Sequence, residues 1–117
     1  MNSFDIQSEK KFQPEKSAPV WNETEFRTLA TAMASQLLPV GYDIIVIDGG
    51  WAGTTIDGHG RPTPNVEQWP SAAGGKGFKP LADWTHSLGL KFGIWTLRGV
   101  LPDAVASKLP VLGSDLY

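Results

Sequence analysis

Residues 42–51 read Tyr-Asp-Ile-Ile-Val-Ile-Asp-Gly-Gly-Trp (YDIIVIDGGW). Four consecutive branched apolar residues without alternation predict a strand over 42–47 buried on both faces, as in a parallel sheet. Asp48 then stands at the strand's C-terminal mouth, the edge where α/β folds place their chemistry. Two tasks fit a carboxylate there: it can meet a ligand, or it can accept backbone N–H groups and shape the glycine turn. Asp43, at the other end of the strand, reads as a solvated rim residue.

The flanking segments alternate in the same sense. Upstream, Asn22 and Glu25 form a capping-box pattern, and Phe26, Leu29, Ala30, Met33, Ala34, Leu37 and Leu38 recur at helical spacing, predicting a helix over 23–38 that Pro39 and Gly41 stop. Downstream, residues 49–77 are rich in glycine and proline and lack periodicity, which predicts one long connection. Helical spacing returns with Phe78, Leu81, Trp84, Thr85 and Leu88, with Pro80 in the first turn and Gly89 closing a helix over 79–88. LKFGIWTL at 90–97 is a further strand, and a short helical turn is expected near 103–107. Strand–helix alternation makes the chain α/β with a parallel sheet, and right-handed crossovers bring the loops 49–77 and 98–117 to one edge of it.

Composition narrows the possible partners. The 117 residues carry a net charge of −2, so no basic field exists to hold nucleic acid. No apolar run approaches the ~18 residues of a membrane span. Zero cysteines exclude disulfides and thiolate zinc sites, and two histidines are too few for a His-rich metal site. Residues 1–11 (MNSFDIQSEKK) lack the basic-then-apolar layout of a secretion signal, and residues 7–19 are polar and proline-containing, read as a mobile arm or an inserted loop. The length suits one small domain and falls short of the ~200 residues of a closed eight-stranded barrel.

Five tryptophans are many for this length. Trp51 and Trp95 lie at or just past the two strand ends, where a flat ring suits the apolar C–H face of a pyranose and carboxylates suit its hydroxyls. Trp84 reads as core from its helical stripe, and Trp69, before Pro70, as a pin for the loop. GGWAG at 49–53 lacks phosphate-loop spacing, and GGKGF at 74–78 lacks both the Ser/Thr after Lys and a preceding strand, so a nucleotide-binding open sheet is disfavoured. His59, between glycines, reads as a turn residue and His86 as a surface residue.

Taken together, LLPVGYDIIVIDGGW at 37–51, WPSAAGGKGFKPLADWTHSLGLKFGIW at 69–95 and RGV at 98–100 resemble the N-terminal part of the α-galactosidase-like glycoside hydrolases of family 27. The resemblance implies a partial (β/α)8 TIM barrel: a first-strand remnant at residues 1–5 with the arm to residue 21, a partial barrel domain over 22–106, and a truncated tail at 107–117. It implies retaining hydrolysis of terminal α-galactosides, with a carbohydrate as the partner and no cofactor. It also implies that the nucleophile and acid/base aspartates come from later strands. Nothing after Trp95 matches their motifs, so the 117-residue chain alone is expected to be inactive; a non-catalytic carbohydrate-binding role is the alternative.

Residue by residue, the resemblance makes Asp48 the first of two adjacent aspartates that bind galactose hydroxyls. Trp51 matches the family's tryptophan after them, and Trp95 an aromatic position. Gly49 replaces the second aspartate, and Gly50 stands where many secreted members have a cysteine. Losing one hydrogen bond to a charged acceptor, roughly 1.5–3 kcal/mol, lowers galactose discrimination about ten- to a hundredfold.

Overall fold

The computed structural model describes residues 21–96, 99–114 and 116. In chain order it forms α1 (Glu23–Gln36), a 3-10 turn (Leu38–Val40), β1 (Ile44–Ile47), β2 (Ala52–Ile56), β3 (Pro62–Pro64), a second 3-10 turn (Pro70–Ala72), α2 (Lys79–Ser87), β4 (Lys91–Ile94) and α3 (Pro102–Ala106). The first-strand remnant at 1–5, the arm at 7–19 and Arg98 lie outside the described residues.

Helix α1 begins as its capping pattern requires. Asn22 is extended, and its side-chain oxygen accepts from the backbone N–H of Thr24 at 2.9 Å and of Glu25 at 3.1 Å, satisfying two of the donors a helix start leaves open. Replacing Asn22 by Ala is expected to lower stability by about 1 kcal/mol, read as a shift of the urea midpoint. The helix ends two residues before the expected 38: the chain tightens into the 3-10 turn and reverses at Gly41, whose φ of 98° suits glycine.

Strands β1 and β4 pair in parallel, with Ile44 opposite Lys91 and Ile47 opposite Ile94. An ion pair between Lys91 Nζ and Asp43 Oδ2 at 2.7 Å sits at the start of both; the Lys91 ammonium holds the Asp43 carboxyl below its usual range. Burial on both faces of β1 is not what the structure has. Ile45 and Ile47 are buried, whereas Ile44 is 46% exposed and Val46 half-buried, because helices cover one face and no described layer covers the other. The strand expected over 90–97 is confined to Lys91–Ile94, with Leu90 buried just before it.

The core lies between α1, α2 and the helix-facing side of this pair. Phe26, Ala30 and Met33 of α1 join Ile45, Ile47, Leu81 and Leu90, and a set of aromatic rings closes one end. Phe26 meets Trp21, Trp69 and Phe92 edge-on with ring centroids 6.4, 6.2 and 5.7 Å apart, the arrangement ring quadrupoles favour. Trp69 is completely buried and pins the loop to the core, as expected. Trp84 is half-buried and carries the Arg27 guanidinium 4.5 Å from its ring centroid.

The long connection is not unstructured. β2 and β3 form an antiparallel hairpin whose turn is built on Asp57: its Oδ1 accepts from the N–H of His59 and Arg61, and its Oδ2 pairs with Arg61 Nε at 2.6 Å. The Arg61 and His59 backbone donors hold the Asp57 carboxyl down at about 2. Little of β2 is buried on either face, so the segment carries no alternation to read. No helix among the described residues is long and apolar enough to cross a membrane.

Candidate functional site

The site forms where β1 and β4 end. Trp95 N–H donates to the Ile47 carbonyl at 2.8 Å, extending the parallel register one step and setting Asp48 and Trp95 side by side. Alternation assigns their face: Ile45 and Ile47 turn toward the helices, so Asp48 continues the opposite face with Ile44 and Val46. Gly93 shares that face, since a Cβ there would lie 3.2 Å from Val46 Cγ2; Trp95 follows two residues later.

Asp48 is only 9% exposed, and its Oδ1 accepts from the Gly49 N–H at 2.6 Å. The turn-shaping task is therefore present. Trp95 is 40% exposed. A Cβ added at Gly49 would stand 3.4 and 3.6 Å from Cζ3 and Cε3 of its ring, so the indole lies against the glycine. Trp51 is 7% exposed; its indole N–H donates to the Trp95 carbonyl at 2.9 Å, and its ring meets Phe78 edge-on at 5.5 Å. Trp51 thus fixes the backbone from which Trp95 projects, and its own polar atom is already engaged. The three residues singled out from sequence meet on one rim: Trp95 offers an open ring and Asp48 a recessed carboxylate, while Trp51 is buried.

Sequence reasoning missed a second carboxylate that shapes this edge. Glu23, at the first position of α1, is buried. One oxygen accepts from Arg27 Nε at 2.9 Å and also takes its Nη2; the other accepts from the Ser71 N–H at 2.9 Å. Glu23 N–H in turn donates to the Gln68 carbonyl, and Gln68 Nε2 donates to the Trp21 carbonyl. Burial pushes the Glu23 carboxyl up, but the Ser71 backbone donor and Arg27 together outweigh it and hold the group below its ordinary range. The i,i+4 spacing of Glu23 and Arg27 was the available signal; the tie to Ser71 had none.

A family model described as alpha galactosidase A (Melibiase 2) matches residues 5–105. An alpha-galactosidase of Cyamopsis tetragonoloba is 40% identical over 79 residues, which are 67% of this chain and 18% of that protein. An alpha-N-acetylgalactosaminidase of Gallus gallus is 41% identical over 56 residues, 48% of this chain and 13% of that one. Among solved structures, a family 27 β-L-arabinopyranosidase of Geobacillus stearothermophilus in complex with arabinose superimposes with a TM-score of 0.75 at 40% identity, covering 81% of this chain and 25% of that one. The chain spans about a fifth of the length of the curated relatives it matches. With a parallel strand pair whose ends gather an acid and two indoles, and a family match across most of its length, the chain belongs to the alpha galactosidase A family of glycoside hydrolases.

Proposed function

We propose that this chain forms part of the catalytic barrel of an α-galactosidase-like retaining glycosidase and supplies one side of its sugar pocket. β1 and β4 would be adjacent barrel strands, with the face carrying Val46 and Gly93 turned to the barrel interior. Asp48 accepts hydroxyl protons of the terminal sugar, and Trp95 offers its ring to the apolar C–H face. Trp51, through its hydrogen bond to the Trp95 carbonyl, holds the backbone that carries Trp95. The observation that carries this reading is the meeting of Asp48, Trp51 and Trp95 at the C-terminal ends of two parallel strands.

Bond cleavage in such an enzyme needs two carboxyl groups about 5–5.5 Å apart across the scissile bond, and the resemblance places them on strands beyond β4. The purified 117-residue chain is therefore expected to show no hydrolysis of a chromogenic α-galactoside. Measurable turnover that falls in Asp48→Asn would overturn this assignment of roles. Galactose titrated into the chain should give a saturable change in tryptophan fluorescence that disappears in Asp48→Ala; that response without any turnover in the longer protein would favour the purely carbohydrate-binding alternative.

The contact of Trp95 with Gly49 favours a second reading of the sugar. Gly49 carries no side chain and lies in van der Waals contact with the Trp95 indole, so the rim lacks an acidic acceptor at 49. L-Arabinopyranose has galactose's ring hydroxyl pattern without the exocyclic hydroxymethyl group, and where the missing acceptor would have held that group it loses less than galactose does. Arabinose binding more tightly than galactose would establish the pentopyranoside; the reverse order would establish the galactoside.

A further inference from the structure

The chain leaving β1 and the chain leaving β4 meet at two places. One is the rim, where the Trp51 indole N–H donates to the Trp95 carbonyl at 2.9 Å. The other lies farther out, where Gly60 of the hairpin turn rests on Ala104 of α3. A Cβ added at Gly60 would stand 2.6 Å from Ala104 Cβ, well inside the roughly 3.5–4.0 Å at which carbon atoms touch. Ala104 is also the buried residue of α3, while Pro102, Asp103, Val105 and Ala106 are exposed. A helix this short has no stability of its own, so packing at Ala104 places it.

The two meeting points are linked through stiff segments. Gly60 approaches closely because it has no side chain and its φ of 73° suits glycine. The turn around it does not yield, since Asp57 accepts from the N–H of His59 at 2.8 Å, from the N–H of Arg61 at 3.0 Å and from Arg61 Nε at 2.6 Å. At the hairpin's other end the Asn65 N–H donates to the Trp51 carbonyl at 3.0 Å. On the side of β4, residues 96–101 alone separate Trp95 from α3. The result is a closed circuit: Trp51, the hairpin, Gly60 on Ala104, α3, and back to Trp95, which receives the Trp51 indole. Forcing the outer contact apart loads the inner one.

We infer that Gly60 and Ala104 are positioning residues for the sugar rim: their contact sets the spacing of Trp51 and Trp95, and with it the affinity for the terminal sugar. The effect on affinity rests on the sugar-pocket reading of Asp48 and Trp95, whereas the circuit itself is testable with no sugar present.

The reporter is the Trp51 indole N–H resonance of the 15N-labelled chain, whose shift follows its hydrogen bond to Trp95. Gly60→Ala should move it. Ala104→Val, which loads the same contact from the helix side and leaves residue 60 a glycine, should move it too. The double variant Gly60→Ala, Ala104→Gly should return it, because without the Ala104 methyl group the nearest atom to the new Cβ is the Ala104 Cα at 3.8 Å. Gly58→Ala is the control: a Cβ there meets nothing within 4 Å, and Gly58 is not among the glycines of positive φ. Titrated with galactose and with L-arabinose, Gly60→Ala and Ala104→Val should bind about tenfold more weakly than the native chain, the weight of one hydrogen bond to a charged acceptor set out of line. The double variant and Gly58→Ala should bind as the native chain does. An indole resonance unmoved by either loading variant would overturn the circuit, and one still displaced in the double variant would assign the effect to the turn's backbone and overturn it equally. A resonance that moves and returns while sugar affinity never changes would overturn the positioning role. Native chain that binds neither sugar would overturn the pocket reading and that role together, with the indole shifts still deciding the circuit.

Discussion

Replacing Trp69 by alanine is expected to cost about 3–5 kcal/mol, a large part of the roughly 5–15 kcal/mol that holds a small domain folded. The ring is completely enclosed, with Phe26 at 6.2 Å and Phe78 at 5.4 Å both edge-on to it, so its removal opens a void that several rings border at once. The measurement is the urea midpoint, with near-ultraviolet circular dichroism reporting the loss of fixed ring packing. Phenylalanine at the same position separates packing from polarity. The Trp69 indole N–H is buried with no acceptor among the described residues, so Trp69→Phe forfeits volume but no hydrogen bond and should cost below about 1.5 kcal/mol. A Trp69→Ala variant as stable as Trp69→Phe would remove the ring from the role given to it here.

Glu23→Ala should follow closely, at about 2–4 kcal/mol, since hydrogen bonds to charged groups contribute roughly 1.5–3 kcal/mol and a buried donor left without a partner adds its desolvation. The Ser71 N–H and the Arg27 guanidinium lose their shared acceptor together. Glu23→Gln keeps an acceptor but not the charge and should fall between. The folded-state carboxyl titrates below its ordinary range, so its contribution is fully present above the unfolded glutamate range. It fades as pH falls through that range to the lower folded value. Urea midpoints measured from neutral pH downward should drop more steeply for the native chain than for Glu23→Gln. Parallel profiles would show that the Ser71 tie does not stabilise the fold.

Sequence pattern revealed most of what burial created and little of what it did not. The cap at Asn22, the stripe of α1, the proline-led start of α2 and the parallel strands all arise from long, one-sided burial, and that leaves a period to read. The hairpin does not: β2 is mostly exposed, its register rests on Asp57 and on threonine hydroxyls, and Asp57-Gly58 was its one local signal. The pattern also overstated β1, because an unbroken apolar run implies two covered faces and the described residues cover one. At the site, position brought Asp48, Trp51 and Trp95 together. It did not show that Trp51 spends its indole N–H on Trp95, or that the Trp95 ring lies against Gly49. Both are distances between segments 44 and 46 residues apart, and no local spacing encodes them.

The ties at both ends of the hairpin have a consequence for how such a protein can change. Below it, Glu23 lashes the outgoing chain, at Gln68 and Ser71, to the start of α1; at its base, Asn65 is anchored to Trp51. At the tip, a Cβ at Gly60 would come within 2.6 Å of Ala104 Cβ in α3. Substitutions along the exposed strands of this finger are thereby insulated from the aromatic interior. The finger can therefore be edited without disturbing that interior, provided a small side chain is kept where it meets α3.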